Sequence, residues 1–345
     1  NRMKIPVRIA LFGFGRIGRN IFRIGYDNPN YEFVAISDFG EPESLHYLLM
    51  RDSIHGPMKD DFILEDNHLI YGNRRTRLLV GGAPGALPWD AYDVDIVLDT
   101  TGAYRKRKEL EPHLKAGAKR VIVSKPPIDE IDRIVIPGLN DKEIQPGDRI
   151  ISTTSATTQV LALTLTVLDR EFGVERAMMT TVHAYTSDQP LADAVRSDLR
   201  RSRSAVENII PNETWAPDYV ETLIPKFKGK LSGVAFNVPV PNGSCVDLTT
   251  EPKVVPTVDE VNAAVKKAAE SEFKDLIGYT EDPIVSSDLT ASGETLVFDS
   301  KATMIAAGKL VKTISWFDNG WGFGKRVLDV VDSYATLNDR VEVQP

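Results

Sequence analysis

Short apolar runs alternate with amphipathic stretches through the first half of the chain. Val7–Phe12, Tyr31–Ser37, Asp95–Thr100 and Arg120–Ser124 read as strands, while Ile17–Tyr26, Ser44–Met50 and Leu110–Ala116 carry helical spacing. Parallel strands need a crossover between them, so this alternation predicts βαβ units and an α/β fold with a doubly wound parallel sheet. After Ile151 the pattern changes. A helix over Val160–Phe172 precedes a Thr/Val-rich strand at Ala177–Ala184. Further strands are expected at Gly233–Pro239, Ser244–Thr250 and Lys312–Phe317, and helices at Val258–Glu272 and Arg326–Thr336. The polar, Arg-rich stretch Tyr185–Asn208 exceeds an ordinary connection and reads as functional or interfacial. Two domains are expected: residues 1–155, completed by a C-terminal helix at 319–340, and an α+β domain over 156–318 with a mixed or antiparallel sheet.

The turn after the first strand carries chemistry. Gly13-Phe14-Gly15-Arg16-Ile17-Gly18 follows Val7–Phe12 directly and opens a helix. Its glycines allow a tight turn, close approach of backbone to a pyrophosphate, and close helix–strand packing, with the phosphates on the helix N-terminus. Asp38 ends the second strand, where a carboxylate accepts from ribose hydroxyls. Together they predict a Rossmann dinucleotide site. Asp38 repels a 2′-phosphate, and Phe39 offers it no donor, so NAD is expected rather than NADP.

Composition narrows the partners. A net charge of -8 argues against nucleic acid or an anionic membrane, so Arg200-Arg201-Ser202-Arg203 reads as a local site. No stretch approaches the roughly 18 uncharged apolar residues of a membrane span, and Asn1–Pro6 lacks the apolar core of a secretion signal. The single cysteine, Cys245, excludes an internal disulfide framework and points to a reducing compartment, by default the cytoplasm. His46, His55, His68 and His113 show no metal-ligand spacing, so no metal is expected.

Several separated segments resemble the phosphorylating glyceraldehyde-3-phosphate dehydrogenases, with similarity also to their erythrose-4-phosphate sister enzymes. They are Gly13–Arg19, Asp52–Gly56, Asp99–Gly102, Ser155–Thr158, His183–Gln189, Asp198–Arg203, Asn208–Pro211, Gly229–Phe236, Val246–Thr249 and Ser315–Trp321. The resemblance spans essentially the whole chain. It implies a glycolytic, NAD-dependent oxidation of a phosphorylated aldehyde to an acyl phosphate by a homotetramer, with inorganic phosphate as acceptor and 156–318 as the catalytic and oligomerisation domain. In that family a cysteine thiolate attacks the aldehyde and hydride passes to the nicotinamide. By resemblance His183 is the general base, and Asn319 and Ser124 join the cofactor set. Thr186, Asp188 and Arg201 match the substrate-phosphate pocket; Ser155, Thr157 and Thr214 match the inorganic-phosphate pocket.

The chain departs from this pattern at its centre. Ala156 occupies the position of the nucleophile, and a methyl group forms neither hemithioacetal nor thioester. Cys245 lies far along the chain and reads as packing, and the hydroxyls of Ser155 and Thr157 are poor unactivated nucleophiles. Asn237 stands where the family has a phosphate-pairing arginine, and Trp215 where it has a glycine. Phe12, Thr153, Thr154, Gln159, Gly320 and Phe323 also differ from the usual residues. Three readings stand open here. The chain is a family dehydrogenase impaired at Ala156, a catalytically inactive NAD-binding paralogue with a regulatory or interaction role, or a dehydrogenase for a different aldehyde.

Overall fold

The computed structural model describes residues 5–341. The chain divides into two compact units, one comprising residues up to Thr154 with those from Gly324 onward, the other Ser155–Phe323.

The first unit is built on a nine-stranded sheet. Its parallel part runs Arg133–Ile134, Ile150–Ser152, Arg120–Val123, Ile96–Asp99, Val7–Phe12, Tyr31–Asp38 and Arg74–Val80, and His68–Tyr71 and Ile63–Glu65 extend it antiparallel. Parallel strands covered on both faces read as unbroken apolar runs. Accordingly Ile9, Ala10, Leu11, Ala35, Ile36, Val97 and Leu98 are all fully buried. The chain runs outward in opposite directions from the neighbouring strands Val7–Phe12 and Ile96–Asp99. That switch point, at their carboxyl ends, is where open α/β sheets bind ligands. The antiparallel ribbon at 63–80 escapes sequence reading because Arg74, Arg75 and Arg77 break its apolar alternation. His113 is a core histidine: Trp89 Nε1 donates to its Nδ1 at 3.1 Å, which leaves the ring proton on Nε2, 3.5 Å from Asp99 Oδ2.

The second unit carries an eight-stranded mixed sheet. Its order is Ile210–Asn212, Leu231–Val238, Val174–Ala184, Ser244–Pro252, Leu310–Phe317, Leu296–Asp299 and Ile277–Thr280, with Met304–Ala306 also beside Leu310–Phe317. The helix Ala156–Phe172 lies against it, buried from Thr157 through Leu165 and again at Val167 and Leu168. It begins at Ala156, four residues earlier than its apolar run predicts, because Ser155 caps it: Ser155 Oγ accepts from Thr158 N–H at 3.2 Å. The last helix likewise starts early, at Trp321 rather than Arg326, since Asp318 Oδ1 accepts from Gly320 N–H at 2.9 Å and Trp321 N–H at 2.7 Å. No helix among the described residues is long and apolar enough to cross a membrane.

Leu163 is fully buried at the centre of the Ala156–Phe172 helix. Leu163→Ala should cost about 2–5 kcal/mol in urea unfolding of the Ser155–Phe323 unit; a loss below about 1 kcal/mol would show that this helix does not anchor the unit.

Candidate active site

In the first unit, the strand–turn–helix at Gly13–Gly18 has the form a dinucleotide needs. Gly13 has φ +96°, a conformation that side chains rarely adopt. A Cβ on Gly18 would sit 2.4 Å from Gly13 O, so only glycine lets the helix pack against the turn. At Gly15 a Cβ would meet nothing within 4 Å, which leaves an open approach for phosphate. The helix Arg16–Gly25 begins without a side-chain cap, and a helix N-terminus favours an anion. Asp38 stands at the adjacent strand end, with Oδ2 accepting from Phe14 N–H at 2.8 Å and Oδ1 from Gly40 N–H at 2.9 Å. Each carboxylate oxygen keeps a further lone pair for a ribose hydroxyl. Phe39 beside it is exposed and apolar. These residues fit NAD. Ser124, also at a strand end, is buried and its hydroxyl donates to Asp99 O at 3.3 Å.

In the second unit, Ala156 is the first helical residue after the Ser155 cap. The turn before it is strained: Thr154, buried and β-branched, has φ +56°, and its Oγ1 has no partner. Ser155 Oγ also lies 2.8 Å from Thr158 Oγ1, so this hydroxyl serves the cap. Among the described residues, no hydrogen bond joins Ser155 or Thr157 to Thr214, whose Oγ1 accepts from Ala216 N–H at 3.3 Å.

His183 ends the strand Val174–Ala184, and its Nδ1 lies 2.6 Å from Ala184 O. A carbonyl oxygen only accepts, so Nδ1 carries a proton. Phe317 packs edge-on against the imidazole, ring centroids 6.0 Å apart. Asn237 pairs with His183 on the neighbouring strand and is buried. Its Nδ2 lies 3.4 Å from Ala184 O, and its Oδ1 accepts from Asn212 Nδ2 at 3.4 Å. The side chain in the arginine's place therefore bonds inward. Thr186, Asp188 and Arg201 do come together: the Thr186 hydroxyl and the Arg201 guanidinium both donate to the Asp188 carboxylate. Burial works to raise the Asp188 pKa, but the Thr186 hydrogen bond and the Arg201 charge outweigh it and hold the carboxyl below its ordinary range. Trp215, largely exposed, lines an open groove of about 700 Å³ with Asp198, Arg200, Thr214 and Asp218.

Asn319 follows the strand Leu310–Phe317, and its Oδ1 accepts from Ser244 Oγ at 3.1 Å. Sequence reasoning passes over Ser244. The only signal is a small hydroxyl residue opening the inward-facing series Ser244, Val246, Leu248 and Thr250.

Cys245 points away from the helix Ala156–Phe172. Thr164 Oγ1 of that helix lies 3.4 Å from Ser315 Oγ, which puts Ser315 and its register partner Val246 on the helix-covered face. Alternation sends the neighbouring pair, Cys245 and Trp316, to the opposite face. Burial, with Asp247 adding to it, pushes the Cys245 thiol up to about 11. The described residues hold no group of three or more His, Cys, Asp or Glu arranged for a metal.

Comparison with known proteins gives the same answer at both ends of the chain. A family model described as glyceraldehyde 3-phosphate dehydrogenase, NAD binding domain, matches residues 7–107, and the C-terminal domain of the same family matches residues 155–319. Similar relatives include a glyceraldehyde-3-phosphate dehydrogenase of Geobacillus stearothermophilus, 43% identical over 94% of this chain and 97% of the relative. Glyceraldehyde-3-phosphate dehydrogenase 1 of Bacillus subtilis is 42% identical over 94% and 97%, and a glyceraldehyde-3-phosphate dehydrogenase of Mycobacterium leprae 41% over 95% and 98%.

Two outcomes follow from this geometry. Asp38→Ala removes an acceptor that also ties down the glycine turn, so calorimetry should show NAD affinity falling about tenfold or more and preference over NADP shrinking; unchanged selectivity would contradict the assignment. For Cys245, a thiol held protonated in the fold favours the folded state up to about pH 9, its unperturbed value, and that contribution disappears as pH rises toward about 11. Iodoacetamide at pH 8 should therefore alkylate the native protein about 100-fold more slowly than the urea-unfolded chain. Equal rates would contradict the burial of the thiol.

Proposed function

We propose that this chain, which belongs to the glyceraldehyde 3-phosphate dehydrogenase family, is an NAD-binding dehydrogenase scaffold that lacks the covalent step of its relatives. The family's coarse chemistry, NAD-dependent oxidoreduction, comes with membership. We assign cofactor binding to residues 1–155 with the C-terminal helix and aldehyde chemistry to 156–318. The nucleotide would be held by Gly13, Gly15, Arg16, Ile17, Gly18, Asp38 and Ser124, and its nicotinamide carboxamide by Asn319. Bound NAD supplies a hydride acceptor.

What this chain's residues do follows from their hydrogen bonds. His183, with Nδ1–H committed to Ala184 O, is assigned the general-base role: it would take the hydroxyl proton of an adduct at the aldehyde carbon, an addition that Ala156 does not make. Arg201, ordered by Asp188, offers its remaining N–H groups to a substrate phosphate beside Thr186, whose hydroxyl proton goes to Asp188, and Ser155, Thr157 and Thr214 offer hydroxyls to inorganic phosphate. Asn237 brings no charge and bonds inward, so a phosphorylated substrate loses about 1.5–3 kcal/mol of binding relative to an arginine at that place. At Ala156 no bond to the aldehyde carbon forms, so no acyl group is held for phosphate to attack. The reading rests above all on one observation: Ala156, a residue with no nucleophilic atom, opens the helix that Ser155 caps.

The inward bonding of Asn237 and the presence of Trp215 at the Thr214 groove favour, as a second reading, either a different, unphosphorylated aldehyde or a paralogue that binds NAD without turnover. A homotetramer working in glycolysis in the cytoplasm completes the proposal from family membership.

Ala156→Cys should form NADH from glyceraldehyde 3-phosphate or erythrose 4-phosphate in a phosphate-dependent manner, while the unaltered chain does not. Turnover confined to unphosphorylated aldehydes would establish the remodelled pocket. No turnover with intact NAD binding would establish the paralogue reading and contradict the dehydrogenase proposal.

A further inference from the structure

One residue's backbone, that of Ala184, is shared by side chains with separate roles in the proposed function. Its carbonyl oxygen accepts from His183 Nδ1 at 2.6 Å and from Asn237 Nδ2 at 3.4 Å, and its N–H donates to Ser244 Oγ at 3.0 Å. Ser244 Oγ lies in turn 3.1 Å from Asn319 Oδ1. Proton accounting orients the whole set. A peptide N–H only donates, so Ser244 Oγ is the acceptor toward Ala184. The hydroxyl has one proton of its own, and among the described residues Asn319 Oδ1 is the one remaining partner. An amide oxygen only accepts, so the Asn319 carboxamide is held with its oxygen on Ser244 and its Nδ2 protons facing away. Among the described residues Nδ2 has no protein partner, which leaves two donors for the carbonyl oxygen of a ligand. Ser244 is 1% exposed, so water does not compete for its hydroxyl.

We propose that Ser244 is a positioning residue that, through one hydroxyl, holds both the backbone of Ala184, whose carbonyl orients His183, and the amide orientation of Asn319. The inference rests on the roles given to His183 and Asn319 in the proposed function. Its consequence is chemical selectivity. With Ser244 in place, Asn319 presents donors and recognises the oxygen of the nicotinamide carboxamide. Without it, the carboxamide can turn over and present an acceptor to an acceptor.

The test compares NAD with ADP-ribose, which has the same nucleotide portion and no nicotinamide, by calorimetry on the unaltered chain, Ser244→Ala, Ser244→Thr and Asn319→Ala. ADP-ribose affinity should be equal in all four. NAD affinity should fall about two- to tenfold in Ser244→Ala and Asn319→Ala, the loss of one neutral hydrogen bond, and recover in Ser244→Thr, which keeps the hydroxyl. Nitrogen-15 histidine spectra should show the Nδ1–H form of His183 in the unaltered chain and a tautomer mixture in Ser244→Ala. A parallel loss of NAD and ADP-ribose in Ser244→Ala, or no loss of NAD, would overturn the proposal while leaving the NAD-binding reading intact. An unaltered chain that binds neither ligand, or an Asn319→Ala variant that binds NAD undiminished, would overturn the functional reading beneath it.

Discussion

The helix Ala156–Phe172 is buried on nearly every side, and the chemistry of its unit depends on that constraint. A helix with an apolar stripe can slide or rotate against its support; one buried from Thr157 through Leu165 cannot. Its first turn is therefore fixed in place, with Ser155 capping and Ala156 as the first helical residue. Thr154, at φ +56° just before the cap, shows the same constraint from the other side: the turn into the helix is tight enough to hold a β-branched residue in the left-handed region.

Around that position the polar residues fall into networks that differ in what they leave free. Asp188 ties Thr186 and Arg201 together, and Ser244 ties Ala184 to Asn319. In each network, hydrogen-bond direction decides function more than distance does. His183 carries a proton on Nδ1 because Ala184 offers it only a carbonyl, and the Asn319 amide is held with its oxygen on Ser244 because that hydroxyl has a proton to give. Asn237 turns its amide toward Ala184 and Asn212.

Much of this was legible in the sequence, for physical reasons. Gly13, Gly15 and Gly18 sit where backbone geometry tolerates nothing larger or leaves open space for a ligand, and Asp38 ends its strand beside them. The fully buried parallel strands were legible because burial on both faces demands unbroken apolar runs. The ribbon at 63–80 was not, since an exposed edge rich in arginine lacks that signature. The true start of the Ala156–Phe172 helix lay hidden among Thr157, Thr158 and Gln159, polar residues that are buried only because of tertiary packing. Ser244 and the inward turn of Asn237 were out of reach, because a sequence names donors and acceptors but not their partners.

The central claim is that cofactor binding survives in a chain that has lost covalent aldehyde chemistry. Its most direct measurement is to mix the unaltered chain with glyceraldehyde 3-phosphate and phosphate, titrate in NAD, and follow protein-bound NAD and NADH absorbance together. The structure predicts saturable NAD binding with no NADH formed. NADH formation at a rate matching the thiol-bearing relatives would contradict the claim, because the reaction would then proceed without the sulfur that Ala156 lacks.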